Sequence, residues 1–340
     1  MPRLPLVALA LGLTGCLAHF PRPDEPLELM ERTYVGVPIG ADQVFEADPA
    51  LHVVLWNGLD RPDLWERGGA HATVAFSFLA TVRMYDEAST PVRTPDYEPR
   101  LKLQLFWIPP PPVRAEPESA SGRGAMFALE LLAAHHSNGQ KGCALADHLR
   151  GTGFSDFDCV PLSDPPSTSL NLVDGSFTRH YLGANAFAKL SFSSRTGGTA
   201  AGSLSAGGGI EWNVPCRFAG CIEAPMRARY GEVLARWRVE GDALVVRGMH
   251  RRVPGLGLVG LDARLRGAVS GSVHLGVARG GPFGDVAAEL AYVPRTARGL
   301  GVGPFVRYHR GHDYLNIRFE ERLDTWLVGV VIDPSPPARP

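Results

Sequence analysis

The feature that most constrains this chain is a strict two-residue alternation. Ala72, Val74, Phe76, Phe78, Ala80, Val82 and Met84 alternate with Thr73, Ala75, Ser77, Leu79, Thr81 and Arg83. Successive strand side chains point to opposite faces, so one face here is apolar and the other mostly polar. The next run repeats it, with Leu101, Leu103, Leu105 and Trp107 set against Lys102, Gln104 and Phe106. Similar runs follow at 126–138, 177–193, 205–214, 225–239, 243–250, 256–266, 270–279, 285–294, 300–310 and 322–332, separated by Gly, Pro or Asp clusters. That makes about a dozen strands and almost no stretch of helical period. A further short strand is expected at 51–56.

Hydrophobic residues make up 45% of the chain, yet beyond the first fifteen positions no apolar run is long enough for a transmembrane helix. A soluble sandwich shows such a pattern too. Two features favour a membrane barrel: several strands reach the roughly ten residues needed to cross a bilayer obliquely, and aromatic residues sit near strand ends. Trp107, Tyr181, Trp237, Tyr292, Tyr308 and Trp326 are the candidate girdle residues. The expected fold is therefore all-β, an antiparallel transmembrane β-barrel of about twelve strands.

The N-terminus sets the compartment. Arg3 precedes an apolar stretch at 4–13, followed by Leu13-Thr14-Gly15-Cys16. A basic start, an apolar segment and small residues before a cut describe an export signal, here residues 1–15. The Leu-Thr-Gly-Cys ending resembles a bacterial lipobox, which would make Cys16 a lipidated first residue; ordinary cleavage nearby, for instance after Ala18, is the alternative. Residues 16–70, rich in Pro, Asp and Glu, are expected to form a periplasmic segment, with the barrel at 71–333 and a tail at 334–340. The outer membrane of a bacterial cell is the expected location. A net charge of −1 argues against a nucleic-acid partner or a polybasic anchor.

Beyond Cys16, four cysteines fall into two near pairs, Cys143/Cys159 and Cys216/Cys221. In an oxidising compartment two local disulfides are the natural reading, although four cysteines allow three connectivities. Their spacings fit no common zinc pattern.

The chemistry concentrates in 127–139. On a strand, Phe127, Leu129, Leu131, Ala133, His135 and Ser137 share the apolar, outward face, while Glu130, His136 and Asn138 lie on the other and Glu130 points into the lumen. A His and a Ser two apart on one face suit transfer of the hydroxyl proton to a neutral imidazole during acyl transfer. On a lipid-facing wall, such a pair makes sense if the substrate is lipid. By itself the spacing is common, and interfacial strand-end residues account for it equally well.

Three ordered stretches add to it. His135-His136-Ser137-Asn138-Gly139 resembles the His-x-Ser-Asn-Gly motif of the outer-membrane phospholipase A family. Ser89-Thr90-Pro91-Val92-Arg93-Thr94-Pro95-Asp96-Tyr97-Glu98-Pro99 is similar to the segment before that family's catalytic strand. The end of the chain, from His312-Asp313 through Asn316, Phe319 and Gly329 to Asp333, resembles its last two strands. The resemblance implies a twelve-stranded barrel that hydrolyses fatty-acyl esters of membrane phospholipids, active as a homodimer with calcium.

Carried over by position, His135 is the general base and Ser137 the nucleophile, with the backbone N–H of Ser137 contributing to an oxyanion hole. The family's third member is an Asn; here Ser176-Phe177-Thr178-Arg179-His180-Tyr181 puts Thr178 there. Thr178 offers its hydroxyl to the imidazole N–H, and His180 is the alternative if the register slips by two. Either is a neutral orienter, weaker than a buried carboxylate. The calcium ligands implied are the carbonyl of Gln140, a group near Asp174, and Ser89 of a dimer partner. Two alternatives stand beside the phospholipase: a lipopolysaccharide deacylase, and a catalytically silent barrel serving as scaffold or pore. A soluble β-sandwich lipoprotein is a more distant one.

Overall fold

A computed structural model describes residues 30–334 except 59–67, 87–91, 111–122, 141, 151–158, 163, 165–168, 194–199, 215–223, 254–256, 278–281, 296–300 and 315. In chain order the strands are β1 (Thr33–Ile39), β2 (Gln43–Asp48), β3 (Ala50–Asn57), β4 (Gly69–Tyr85), β5 (Val92–Ile108), β6 (Arg123–Ser137), β7 (His148–Arg150), β8 (Cys159–Pro161), β9 (Thr178–Ser193) and β10 (Ala200–Asn213). A short helix, α1 (Ala224–Tyr230), precedes β11 (Val233–Val253), β12 (Gly257–Leu275), β13 (Phe283–Arg295), β14 (Gly301–His312) and β15 (Arg322–Asp333). The export signal, Cys16, Cys216 and Cys221 lie outside the described residues.

The wall is antiparallel throughout and closes on itself. Neighbours run β1-β15-β14-β13-β12-β11-β10-β9-β6-β5-β4, and β2 pairs with both β1 and β4 to complete the ring. Full closure leaves no unpaired edge, which is the condition for strands to cross a bilayer. Gly36 faces Gly329 where the first and last strands meet, and a Cβ on Gly329 would collide with the Val35 carbonyl. The two strand backbones approach too closely at that seam for a side chain.

Three expectations change. Within the segment 16–70, expected to be periplasmic, the described residues 33–57 instead form β1, β2 and β3 and belong to the wall. Pro49, which has no N–H to donate, separates β2 from β3; both pair with β4, and the Pro49 carbonyl still accepts from Ala80 N at 3.0 Å. The expected strands at 225–239 and 243–250 are α1 followed by one long strand, β11, and those at 256–266 and 270–279 are the single strand β12. Gly241 and Gly267, read as turn signals, are cross-strand partners in mid-wall, and Asp242 points inward to an ion pair with Arg264. Two strands are lost by merging; β1 and the β2–β3 crossing replace them, so the described residues still make twelve crossings.

Outward positions carry a belt of exposed apolar side chains, among them Leu101, Leu103, Leu105, Leu129, Leu131, Val269, Val328 and Val330. Aromatic residues flank it: Tyr97, Trp212, Trp237 and Trp326 near the long-loop end, and Trp56, Trp107 and Tyr292 near the other. This is the surface of a transmembrane barrel. Tyr181 is not part of the girdle. It lies on the inward face of β9, 1% exposed, and its hydroxyl donates to Glu98.

The lumen is polar and occupied. Arg32 reaches across to Glu240 at 2.6 Å and to Asp333 at 3.3 Å, and Asp333 is also held by Arg266 at 2.6 Å. Glu31 pairs with Arg100 and Lys102, and Arg83 bridges Glu46 and Asp313. A cavity of about 610 Å³ remains among these groups. At the long-loop end Ala144, Phe177, Met226, Tyr230, Ile317 and Phe319 bury one another in one cluster. Gly231, at φ 94°, ends α1 in the left-handed conformation, its N–H donating to the Arg227 carbonyl at 2.9 Å. That turn presents Tyr230 to the cluster, where burial pushes its hydroxyl up to about 12 against the opposing effect of Arg179.

Candidate active site on the outer wall

Strand β6 divides its residues cleanly between two environments. Phe127, Leu129 and Leu131 are exposed on the outside, whereas Ala128, Glu130, Leu132 and His136 are buried on the inside. His135 and Ser137 continue the outward set and remain half-buried. On β9 the phase is opposite: Arg179 and Tyr181 are buried in the lumen and Leu182 and Leu190 are exposed outside, so Thr178 and His180 face outward.

The register then brings the candidates together. Ser137 sits opposite Thr178 on one side and opposite Tyr97 of β5 on the other. His135 sits directly opposite His180. Their Nδ1 atoms are 3.4 Å apart, with ring centroids 4.7 Å apart and planes at 43°. No slip in register is needed to make His180 the neighbour of His135; Thr178 lies one row further on, beside Ser137. Among the described residues, His135 and Ser137 form no hydrogen bond to each other.

Behind this patch the two strand ends are clamped. Asn138 is buried; its Oδ1 accepts from Phe177 N at 2.9 Å and Gln140 N at 3.2 Å, and its Nδ2 donates to the Gly175 carbonyl at 2.7 Å. The sequence motif contains Asn138, but only the structure shows that it ties β6 to β9 immediately beyond Ser137. Gly139, at φ 66°, makes the chain turn away over the Tyr97 ring. The following loop carries the hairpin β7–β8 and the disulfide Cys143–Cys159, with Cα atoms 5.9 Å apart.

The inward neighbour is held differently. His136 Nε2 lies 2.8 Å from Asp96 Oδ2, and its Nδ1 accepts from Arg179 Nε at 3.2 Å. Arg179 in turn donates to Glu211 at 2.6 Å and Asn213 at 3.2 Å, with its guanidinium 4.1 Å from the Tyr181 ring centroid. Both ring nitrogens of His136 are thereby engaged in the wall. Sequence alone gave no sign of this layer, because its members come from four strands.

The expected calcium ligands are only partly brought together. Ser89 lies outside the described residues. Gly142 N donates to the Asp174 carbonyl at 2.8 Å, whereas Gln140 N donates to Asn138 Oδ1 at 3.2 Å. The Asp174 side chain is exposed, and its Oδ1 accepts from Asn171 Nδ2 at 2.6 Å. Among the described residues no three His, Cys, Asp or Glu side chains converge as a metal group. One carboxylate is far from the six to eight oxygens a calcium ion takes, so these residues alone do not fit it.

No protein-family model and no curated protein matches the chain. Solved structures similar to it include outer membrane phospholipase A from Escherichia coli, at 12% identity and a TM-score of 0.47, covering 92% of this chain and 98% of that one. A Salmonella typhi outer membrane phospholipase dimer with bound calcium is 13% identical at a TM-score of 0.45, covering 89% of this chain and 90% of that one. The beta domain of the Bordetella autotransporter BrkA is 11% identical at a TM-score of 0.37, covering 88% and 96%. With TM-scores this low, the chemistry has to come from the residues themselves.

Proposed function

We propose that this chain is an outer-membrane acyl-ester hydrolase acting on membrane phospholipids, with Ser137 as nucleophile, His135 as general base and His180 as its orienter. The observation that carries this is the placement of four candidate residues in two adjacent cross-strand pairs on the lipid-facing side of β6 and β9. A substrate ester at the bilayer surface meets that side of the wall without entering the lumen.

In the reaction, His135 takes the hydroxyl proton as Ser137 Oγ attacks the acyl carbonyl. The ester C–O bond breaks, and the proton passes to the departing lysophospholipid oxygen. Water then cleaves the acyl-enzyme by the same proton path in reverse, releasing fatty acid. In this reading the Ser137 backbone N–H contributes to oxyanion stabilisation. His180 supports the base by accepting the His135 Nδ1–H, which leaves Nε2 as the proton acceptor. Its cross-strand position favours it over Thr178 in that role.

Homodimerisation belongs to the same proposal and comes from the sequence resemblance. Calcium assistance would require donors beyond the described residues, and no step above depends on it. The scaffold or pore alternative stands beside the hydrolase, and the test below separates them. The test is fatty-acid release from defined phospholipids by detergent-refolded wild type and Ser137→Ala. Release that disappears in the mutant supports the hydrolase; no release from folded wild type makes the barrel a scaffold. Preference for lipopolysaccharide over phospholipid would make it a deacylase.

A further inference from the structure

The three described residues ahead of β1 do not prolong the strand; their side chains reach across the lumen. Met30 packs against Ala75 and Val54. Glu31 pairs with Arg100 at 2.7 Å and with Lys102, both on β5, and its carbonyl oxygen lies 2.9 Å from His52 Nε2. Arg32 donates to both carboxylate oxygens of Glu240 on β11, at 2.6 and 2.7 Å, and approaches Asp333 at the end of β15. With β2 and β3 taken as one crossing, β5, β11 and β15 stand four places apart in the ring of twelve. Two consecutive residues thus tie the wall together at thirds of its circumference.

The depth of this strap follows from its partners. Lys102 lies between the exposed Leu101 and Leu103, and Glu240 follows the exposed Val239. The strap therefore crosses at the level of the apolar belt, and its three residues line the cavity of about 610 Å³. Charge is its main hold: the Glu31 and Arg32 side chains keep 26% and 15% exposure. Ion pairs that stay in touch with water are weak and screened by salt. The cavity lining carries twelve carboxylates against eight Lys and Arg side chains. Such an excess, enclosed by a low-dielectric wall, concentrates ions of the opposite sign.

We propose that the lumen is a latent conduit for small hydrated cations, and that Glu31 and Arg32 are the gate that closes it. Released from its ion pairs, the strap swings about Thr33, where β1 begins and whose Oγ1 accepts from Ala50 N at 3.0 Å. The lining carboxylates then select the ion. Conduction is independent of the hydrolase reading, whose residues face the other side of the wall.

Full-length protein, refolded in detergent with its cysteines oxidised, is inserted into planar bilayers in potassium chloride. Wild type is compared with Glu31→Gln/Arg32→Gln, Arg32→Glu, Arg32→Glu/Glu240→Arg and the mildest change, Arg32→Gln, with folding checked by heat-modifiable gel migration. Wild type should be nearly silent. The double glutamine variant and Arg32→Glu should raise mean conductance by about tenfold or more, as loss of two weak ion pairs shifts a closed–open equilibrium. Arg32→Gln should show brief openings, which keeps the gate testable if a harsher variant misfolds. Arg32→Glu/Glu240→Arg restores opposite charges and should return conductance toward wild type, an outcome that damaged folding does not produce. A potassium chloride gradient across the open variants should give a reversal potential of cation-selective sign, and Ser137→Ala should conduct as wild type does. Equal conductance in wild type and every folded strap variant, whether silent or open, would overturn the gate. An anion-selective reversal potential would overturn the cation conduit.

Discussion

His135 and His136 are consecutive residues with opposite circumstances. His136 faces the lumen, where Asp96 and Arg179 take both ring nitrogens and Arg179 is itself held by Glu211, Asn213 and Tyr181. His135 faces outward, where another histidine lies 3.4 Å from it and a serine stands two residues along the same face. A histidine beside a carboxylate is the arrangement usually sought in a hydrolase, and here it lies on the wrong side of the wall. A saturated imidazole fixes structure, whereas one with a free nitrogen can move a proton. The comparison teaches that the lumen holds its histidine in a network of ion pairs, and that any chemistry proposed for this pair of strands falls to the outer face.

Removing the outer hydroxyl tests that division most severely. Ser137→Ala should lower fatty-acid release by roughly ten-thousand-fold or more while gel migration stays that of folded barrel. A mutant that kept most of its activity would move the nucleophile elsewhere and end the comparison.

The inner side should respond in stability. Arg179→Ala leaves Glu211 buried with fewer partners, although Arg236 still reaches it at 2.8 Å. Breaking a buried pair of this kind costs about 3–5 kcal/mol, read as a lowered denaturation midpoint in detergent. The folded fraction should keep its hydrolysis rate within about tenfold. Equal loss of rate and stability would mean the two faces act as one unit.

Between the outer residues, the orienter can be assigned by contrast. His180→Ala should reduce turnover by about tenfold to a hundredfold, less than disabling a buried carboxylate orienter does, with KM little changed. His180→Asn, which restores a side-chain acceptor, should lose less than His180→Ala. Thr178→Val should stay within about threefold of wild type. The reverse ranking would return the role to Thr178.

Much of this wall could be read in advance, because alternation reports which face a side chain takes. The outward set of β6, the inward Glu130 and the outward Thr178 and His180 all follow from period two. Register does not, since it depends on how two distant strands slide past one another. Hence the sequence left Thr178 and His180 as alternatives, and the structure adds that His180 is the cross-strand partner of His135 and Thr178 that of Ser137. The strands missed at 33–48 and merged at 233–275 fail for another reason. Glu46, Asp48, Pro49, Gly241 and Asp242 resemble loop residues, but a polar lumen accepts acids in mid-strand wherever arginines meet them, as Arg83 and Arg264 do here. Tyr181 was misplaced in the girdle because its nearness to a strand end was weighed without its phase on β9.

The smallest expected effect concerns Asp174, where residue type and geometry point in different directions. A carboxylate where the resembled family has a hydroxyl would strengthen calcium binding if it pointed inward. Instead the side chain is exposed, and Oδ1 is occupied by Asn171, which also accepts from Val173 N and Asp174 N at 3.3 Å. That is an Asx-type turn stabilising the loop before β9, a local use of the carboxylate. Asp174→Asn retains an acceptor for the turn and removes the charge, so it separates the two uses. Hydrolysis measured with calcium and with chelator should give the same ratio for mutant and wild type within about threefold. A calcium requirement that rises well beyond that in Asp174→Asn would make Asp174 a ligand and extend the chemical face of the wall into the loop.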